Sequence, residues 1–175
     1  CNDARGKLGE DYFINRRPTF ERLSEAGFEG FRIPFCWERL QPQLGGPLDP
    51  DGIQDLRYML GAAESIDRKV ILSMHNAGRY TMRVDGVPTA CGLEESIGGK
   101  VRVTAQHFAE FWSRLSHALC GLPNLRGYGL MSAAHDLPEG AWQMSSQSAI
   151  DSIREDGDTI PIYVAGIGSS RTSTW

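Results

Sequence analysis

The sequence lacks several features that would assign it to a broad functional class. No apolar run in its 175 residues approaches the ~20 residues that a membrane-spanning helix needs. It contains no phosphate-binding loop and no dinucleotide-binding glycine fingerprint, so we expect no cofactor. The net charge is −4 and the basic residues are scattered among acidic ones. Neither a membrane nor a nucleic acid is therefore an expected partner.

Cysteine motifs and leader signals are also missing. The four cysteines, at positions 1, 36, 91 and 120, are widely spaced and form no Cys-x-x-Cys pair, so we expect no zinc site. No signal peptide is visible, and the chain begins at Cys1 rather than at a methionine. A processed product or a piece of a longer chain is the expectation. The apolar content of 41% is typical of a globular protein with one core.

Strand and helix patterns alternate after an irregular lead-in, residues 1–16. Apolar runs predict strands at 31–35, 70–74, 126–131 and 160–165, and helical spacing predicts helices at 18–26, from 53 for three to four turns, at 104–119 and at 141–156. The glycine-rich segment 76–103 is predicted to be a long functional or mobile loop. This alternation favours one α/β domain, residues 17–175, with a parallel sheet under helical cover.

The strand predicted at 126–131 ends in small residues, at the place where α/β folds put their chemistry. Ser132, Ala133 and Ala134 follow it directly, and His135 comes next. This strand end therefore offers a hydroxyl and an imidazole but no carboxylate.

Three motifs resemble, in order and spacing, signatures of glycoside hydrolase family 5. They are Gly-Phe-Arg-Ile-Pro-Phe-Cys-Trp-Glu-Arg-Leu-Gln-Pro (30–42), Ile-Leu-Ser-Met-His-Asn-Ala-Gly-Arg-Tyr (71–80) and Gly-Leu-Met-Ser-Ala-Ala-His-Asp-Leu-Pro (129–138). That family comprises retaining, cellulase-like (β/α)8-barrel enzymes. A full barrel needs about 250 residues, so the resemblance implies a partial TIM barrel, strands two to five with their helices. We expect oligomerisation or a longer parent chain to complete it, because an open sheet exposes both edges.

The resemblance also implies that the chain has lost its general acid/base. The third family motif usually reads Gly-Leu-Met-Asn-Glu-Pro-His, and Ala133 stands at the position of its glutamate. Retaining hydrolysis needs two carboxyl groups about 5–5.5 Å apart, and a methyl group transfers no proton. The family's nucleophile belongs to the seventh strand, which we expect beyond residue 175. The chain is therefore predicted to be inactive as given and to bind a β-linked polysaccharide or oligosaccharide weakly.

Strand-end residues are the candidates for sugar binding. The family histidine that matches His75 lines the cleft, and Asn76 follows it. Ser132 replaces an asparagine that touches the sugar 2-hydroxyl, and His135 falls at the end of the next strand. Arg32 matches an arginine that supports the nucleophile; alternatively, it is a structural arginine paired with Glu38 or with a carboxylate on a neighbouring strand.

Aromatic residues after the strands are predicted to stack on sugar rings, since an aromatic face complements the apolar face of a pyranose. Trp37 and Tyr80 are the better candidates and Trp175 is a third, whereas Trp112 and Trp142 lie on helix stripes and are predicted to be core. His75 and His135 lack a third ligand, so no metal is expected. No nucleophile elbow surrounds Ser132, which argues against a Ser-His-Asp triad.

Two other functions stay open at this point. The chain is alternatively part of an active retaining β-glycosidase whose remaining strands come from a longer parent or a partner chain. It is alternatively a non-catalytic interaction module that forms a homo-oligomer through its open half-barrel face. The family resemblance implies secretion, although this chain shows no signal peptide.

Overall fold

The computed structural model describes residues 6–167, and a parallel sheet lies at its centre. The helices are α1 (Arg17–Glu25), α2 (Trp37–Leu40), α3 (Pro50–Glu64), α4 (Ala105–Leu119) and α5 (Ala141–Glu155). The strands are β1 (Gly30–Phe35), β2 (Lys69–Met74), β3 (Arg79–Val84), β4 (Val87–Gly92), β5 (Ser96–Ile97), β6 (Lys100–Val101), β7 (Leu125–Gly129) and β8 (Ile162–Tyr163). No helix among the described residues is both long and apolar enough to cross a membrane.

The central sheet has the order β1-β2-β7-β8, and every neighbouring pair is parallel. Consecutive strands are thus spatial neighbours, and a helix lies between each pair along the chain. This arrangement is the one that repeated strand–helix units produce in the wall of a (β/α) barrel. The predicted parallel sheet with helical cover is confirmed.

The two faces of the sheet differ in burial because successive side chains point to opposite sides. On one face, Ile33, Leu72 and Tyr128 are buried in the hydrophobic core. The opposite face, which we call the inner face, carries Arg32 and Tyr163, both exposed. The core therefore lies between the sheet and the helices, and the inner face remains accessible.

Helix α4 supplies much of the core through an aromatic stripe. The Trp112 ring lies 5.8 Å from Phe35 and 5.5 Å from Tyr128, so it spans β1 and β7. Phe108 packs edge-on against Trp142 of α5 at 6.0 Å. Pairs of this geometry each contribute about 0.5–1.5 kcal/mol beyond their buried area. The prediction that Trp112 and Trp142 are core residues is confirmed.

The start of α4 is set by reciprocal hydrogen bonds. The His107 backbone N–H donates to Thr104 Oγ1 at 3.2 Å, and the Thr104 N–H donates to His107 Nδ1, also at 3.2 Å. These bonds satisfy amide groups that the helix leaves without partners at its first turn. A histidine here takes the place that Glu or Gln usually fills.

The prediction of a long loop over residues 76–103 is wrong. The segment forms two antiparallel hairpins, β3–β4 and β5–β6, and buries Tyr80, Cys91 and Leu93 in the core. Both hairpins turn through pairs with positive φ, Asp85-Gly86 and Gly98-Gly99. Asp-Gly and Gly-Gly pairs favour such turns, so these dipeptides were the signal that could have found the hairpins.

Other element boundaries shift for local reasons. The strand expected at 160–165 is only Ile162–Tyr163, and Pro161, which has no backbone N–H to donate to a ladder, immediately precedes it. The one-turn helix α2 was not predicted. Residues 6–16 contain one isolated bridge, Leu8 to Tyr12, and otherwise turns and irregular backbone.

We expect Gly127→Ala to destabilise the chain by about 1–3 kcal/mol, as overpacking a tight site does. A Cβ at Gly127 would lie 2.6 Å from Tyr163 Cε2 and 2.9 Å from the Pro161 carbonyl oxygen, so backbone must shift. Urea denaturation monitored by tryptophan fluorescence measures the change. Gly61→Ala is the matched control, because nothing lies within 4 Å of a Cβ there and alanine favours the α3 helix. Equal midpoints for the two variants would contradict this packing.

Candidate functional site

Three polar side chains on the inner face form a hydrogen-bonded chain. Arg32 Nη2 donates to Ser132 Oγ at 3.0 Å, and Ser132 Oγ lies 3.2 Å from Ser73 Oγ. The Ser132 backbone N–H donates to the Met74 carbonyl oxygen at 2.8 Å, which holds the segment after β7 against the end of β2. We call Arg32, Ser73 and Ser132 the inner-face cluster. It joins β1, β2 and the segment that follows β7.

A cavity of about 480 Å³ lies over the inner-face cluster. Besides the cluster, its wall includes the Ala133 methyl, the Tyr163 ring and apolar side chains such as Val164. Among the described residues, none of those lining it carries a carboxyl group. The cavity wall thus combines apolar surface with one cation, two serine hydroxyls and a tyrosine, the kind of composition that small-molecule sites share.

Ala133 has a left-handed backbone conformation, with φ at +53°. Non-glycine residues rarely adopt it, and such positions cluster at functional sites. Asp136, three residues later, has φ at +50°. Arg79 of β3 holds this segment by donating from Nη1 to the His135 carbonyl oxygen at 3.1 Å and from Nη2 to the Asp136 carbonyl oxygen at 3.2 Å. Sequence reasoning had missed Arg79.

Glu38 is a buried carboxylate, 3% exposed, that accepts hydrogen bonds from three donors. Its Oε2 accepts from Asn76 Nδ2 at 2.5 Å and from Cys36 Sγ at 2.9 Å, and its Oε1 accepts from the Thr81 N–H at 2.5 Å. The alternative that Arg32 pairs with Glu38 is therefore wrong, since Arg32 contacts Ser132 instead. Charge-assisted bonds of this kind are roughly twice as strong as neutral ones.

Two neighbours of Glu38, Asn76 and Cys36, have structural roles. The Asn76 amide donates to Glu38 and accepts from the Trp37 N–H at 2.7 Å, so both of its ends are engaged in holding α2 to the end of β2. Burial raises the pKa of the Cys36 thiol to about 12, and the negative charge of Glu38 adds to the shift. A protonated, largely buried thiol is a poor nucleophile, so Cys36 is a structural residue.

The prediction that Trp37 and Tyr80 stack on sugar rings is wrong. Trp37 is 0% exposed and Tyr80 is 2% exposed, and their rings pack edge-on at 5.2 Å. Trp37 Nε1 donates to Gln41 Oε1 at 2.9 Å, and the Tyr80 hydroxyl donates to the Gln41 carbonyl oxygen at 2.6 Å. Helix α2 directs the Trp37 indole into the core. The four-residue spacing of Trp37 and Gln41, which lets their side chains meet across one helical turn, was the sequence sign of this burial. Trp175 lies outside the described residues.

The two candidate histidines lie at the surface. His75 is exposed. His135 is half-buried, and its Nδ1 lies 2.8 Å from Oδ2 of Asp136, whose side chain is largely in solvent. The Ser132 hydroxyl bonds to Arg32 and Ser73, and no bond joins it to His135 within residues 6–167. No group of three or more potential metal ligands occurs in the part of the chain that the structure describes.

The fold and site define a segment of a parallel (β/α) barrel with a polar cluster at the inner face of its strands. The family model for cellulase (glycosyl hydrolase family 5) matches residues 3–174. The chain therefore belongs to glycoside hydrolase family 5, and the predicted family is confirmed.

Relatives with known names are endoglucanases. Endo-beta-1,4-glucanase A of Emericella nidulans is 28% identical over 171 residues, which are 97% of this chain and 47% of that protein. Pseudomonas stutzeri endoglucanase Cel5A, solved in complex with cellobiose, superimposes with a TM-score of 0.80 at 32% identity, over 96% of this chain and 47% of that one. An endo-beta-1,4-glucanase of Xanthomonas axonopodis pv. citri gives 0.82 at 28% identity, over 99% and 50%.

The chain spans about half the length of these relatives. Its four-stranded parallel sheet corresponds to part of their barrels, so the prediction of a partial TIM barrel is confirmed. The activities that the relatives' names state are those of proteins about twice as long as this chain.

We expect Glu38→Gln to lower the free energy of unfolding by about 1–3 kcal/mol, because a neutral amide cannot accept all three hydrogen bonds and leaves a buried donor unsatisfied. Urea denaturation at pH 7 measures the loss. Glu29→Gln is the matched control, because Glu29 is exposed and its substitution removes the same charge. If both variants unfold at the wild-type midpoint, Glu38 does not hold α2, β2 and β3 together.

Proposed function

We propose that this chain is a family 5 barrel segment that does not hydrolyse glycosides by itself and that retains weak affinity for β-linked glucose oligosaccharides. The observation that carries the proposal is the Ala133 methyl in the cavity wall, where the family motif has its acid/base glutamate. None of the described residues around that cavity supplies a carboxyl group in its place. Two such groups are required for retaining hydrolysis.

Asp136 is the acidic residue next to the altered motif, and its position does not suit it as a substitute. Its side chain is 83% exposed and interacts with His135 rather than facing the inner-face cluster. A general acid works from within hydrogen-bond reach of the reacting oxygen, in an environment that raises its proton affinity. Asp136 does not line the cavity, so it does not meet the first condition.

Affinity for sugar is supported by the cavity and by the nature of the relatives. The cavity volume of about 480 Å³ is in the range of small-ligand sites, and its wall combines apolar surface with hydroxyl and guanidinium donors. His75 is exposed and His135 is partly exposed, but neither lines the cavity, and Asn76 is engaged by Glu38 and the Trp37 N–H. The Cel5A relative from Pseudomonas stutzeri has been solved with cellobiose. Secretion remains the expectation attached to the family.

Two alternative functions involve protein segments in addition to this chain. One is an active retaining β-glycosidase in which further strands supply the missing carboxyl groups. The other is an interaction module, which the open sheet favours: β1 and β8 each have one edge without a strand neighbour among the described residues, and Tyr163 is 50% exposed. Unpaired edges of this kind attract other strands.

Thermal unfolding with and without cellotetraose tests the sugar affinity of this chain. At a concentration about tenfold above Kd, binding to the native state stabilises it by about 1.4 kcal/mol, which we expect to raise Tm by about 3–6 °C. Maltotetraose, with α-linkages, is the matched control and should leave Tm unchanged. A cooperative but unmoved transition, together with a dimer in sedimentation at micromolar concentration, would favour the interaction module and contradict sugar affinity.

The Ala133→Glu variant tests the account of inactivity. We expect no release of reducing sugar from carboxymethylcellulose, for the wild-type chain or for the variant, because one restored carboxyl group leaves the pair incomplete. A thermal transition within about 5 °C of the wild type shows that the variant is folded. Turnover by the wild-type chain would refute the proposal, and turnover by the variant alone would place a second competent carboxyl group in this chain.

A further inference from the structure

Arg32 carries a positive charge that no carboxylate among residues 6–167 neutralises. Among the described residues, its guanidinium donates to the side chain of Ser132, whose Oγ is a neutral acceptor at 3.0 Å. A guanidinium has five N–H donors in a planar fork, so most of its donors face the cavity and solvent. The nearest buried acid in sequence, Glu38, is already hydrogen-bonded to three other donors and makes no contact with Arg32.

The surroundings of Arg32 have the composition of a site for a small anion. The Ser132 and Ser73 hydroxyls, 3.2 Å apart, lie beside the guanidinium; one of them donates to the other, which leaves one O–H group to donate to a ligand. The cavity wall contains no acid among the described residues, so nothing there repels a negative ligand. The cluster also spans three segments of the chain, which fixes its geometry.

The rest of the cavity suits a ring with an apolar face. Tyr163 is half exposed, and its ring lies across Gly127, where the absence of a side chain lets it approach the sheet. Val164 and Ala165 extend the apolar wall beyond it. A pyranose ring can stack on an aromatic side chain at such a place while a substituent reaches the charged group.

We propose that the inner-face cluster binds the carboxylate of a saccharide that carries a sugar acid, a uronate or an aldonate unit, and that a pyranose ring of this saccharide stacks on Tyr163. The proposal rests on the proposed function for the presence of a saccharide, and it adds the charge of that saccharide. A planar monoanion matches the guanidinium fork, which donates two parallel hydrogen bonds to the oxygens of a carboxylate. One cation with two neutral hydroxyls balances one negative charge, whereas a phosphate dianion would remain undercompensated.

Titration calorimetry with cellobionate, cellobiose, glucuronate and inorganic phosphate tests the proposal on the wild-type chain. We expect cellobionate to bind about tenfold more tightly than cellobiose, the size of effect that one partly exposed charged hydrogen bond provides. The advantage should shrink severalfold as NaCl is raised to about 0.3 M, because an exposed ion pair is screened. Glucuronate should bind more tightly than phosphate.

Three variants locate the interaction. Arg32→Gln should remove the preference for cellobionate by weakening the binding of cellobionate far more than that of cellobiose, and Arg32→Lys should keep part of the preference because it keeps the charge but loses the fork. Arg126→Gln is the matched control, since Arg126 is an exposed strand arginine away from the cavity wall. It removes the same net charge and should bind both sugars as the wild type does.

The outcomes separate this inference from the proposed function. Equal affinity for cellobionate and cellobiose, or a preference that survives Arg32→Gln, overturns the inference while sugar binding stands. Binding of phosphate as tight as that of glucuronate also overturns it, because the site would then be a general anion site. Arg32-dependent binding of cellobionate and glucuronate without binding of cellobiose supports the inference and refutes affinity for neutral oligosaccharides. Should Arg32→Gln fail to unfold cooperatively, the salt dependence of the wild type decides.

Discussion

The buried carboxylate of Glu38 is the constraint on which the strand-end region depends. It brings together three pieces of chain that are distant in sequence: Cys36 at the end of β1, Asn76 after β2, and Thr81 in the β3–β4 hairpin. A buried charge is costly unless it is fully hydrogen-bonded, so the surrounding donors are as necessary to Glu38 as Glu38 is to them. The hairpin base, helix α2 and the end of β2 are consequently a single rigid unit.

That unit explains why Trp37 and Tyr80, which follow strands in sequence, are buried in the core and are not available to stack on a ligand. With α2 anchored by Glu38, Trp37 points toward Phe108 and Tyr80, at ring distances of 5.5 and 5.2 Å. The helix side of the sheet is packed with aromatic rings, whereas the inner face keeps a hydrogen-bonded cluster and a cavity. The hydrophobic core and the cavity thus lie on opposite faces of one sheet.

Much of the fold followed from the sequence because its signals are local and periodic. The stripe of Phe108, Phe111, Trp112 and Leu115 defined α4, and the apolar run of residues 70–74 defined β2, each within about one residue. The hairpins were missed because glycine-rich segments have weak periodicity, although their turn dipeptides were visible. Sequence motifs likewise placed Arg32 and Ser132 in one site, but the burial of Trp37 and Tyr80 depends on contacts between distant segments. The burial of Glu38 depends on contacts of the same kind.

The segment after β7 shows how a barrel fold can hold its backbone without using every side chain at a strand end. Stability in such folds comes from strands and covering helices, while the chemistry lies in the segments that follow the strands. The backbone of this segment is held by Arg79, by the Ser132 amide bonded to Met74, and by Leu137, which packs against Gly78 and Gly92. None of these contacts uses the side chain of residue 133. The contacts that hold this segment therefore place little constraint on the side chain at position 133, and Arg32 has no carboxylate partner among the described residues.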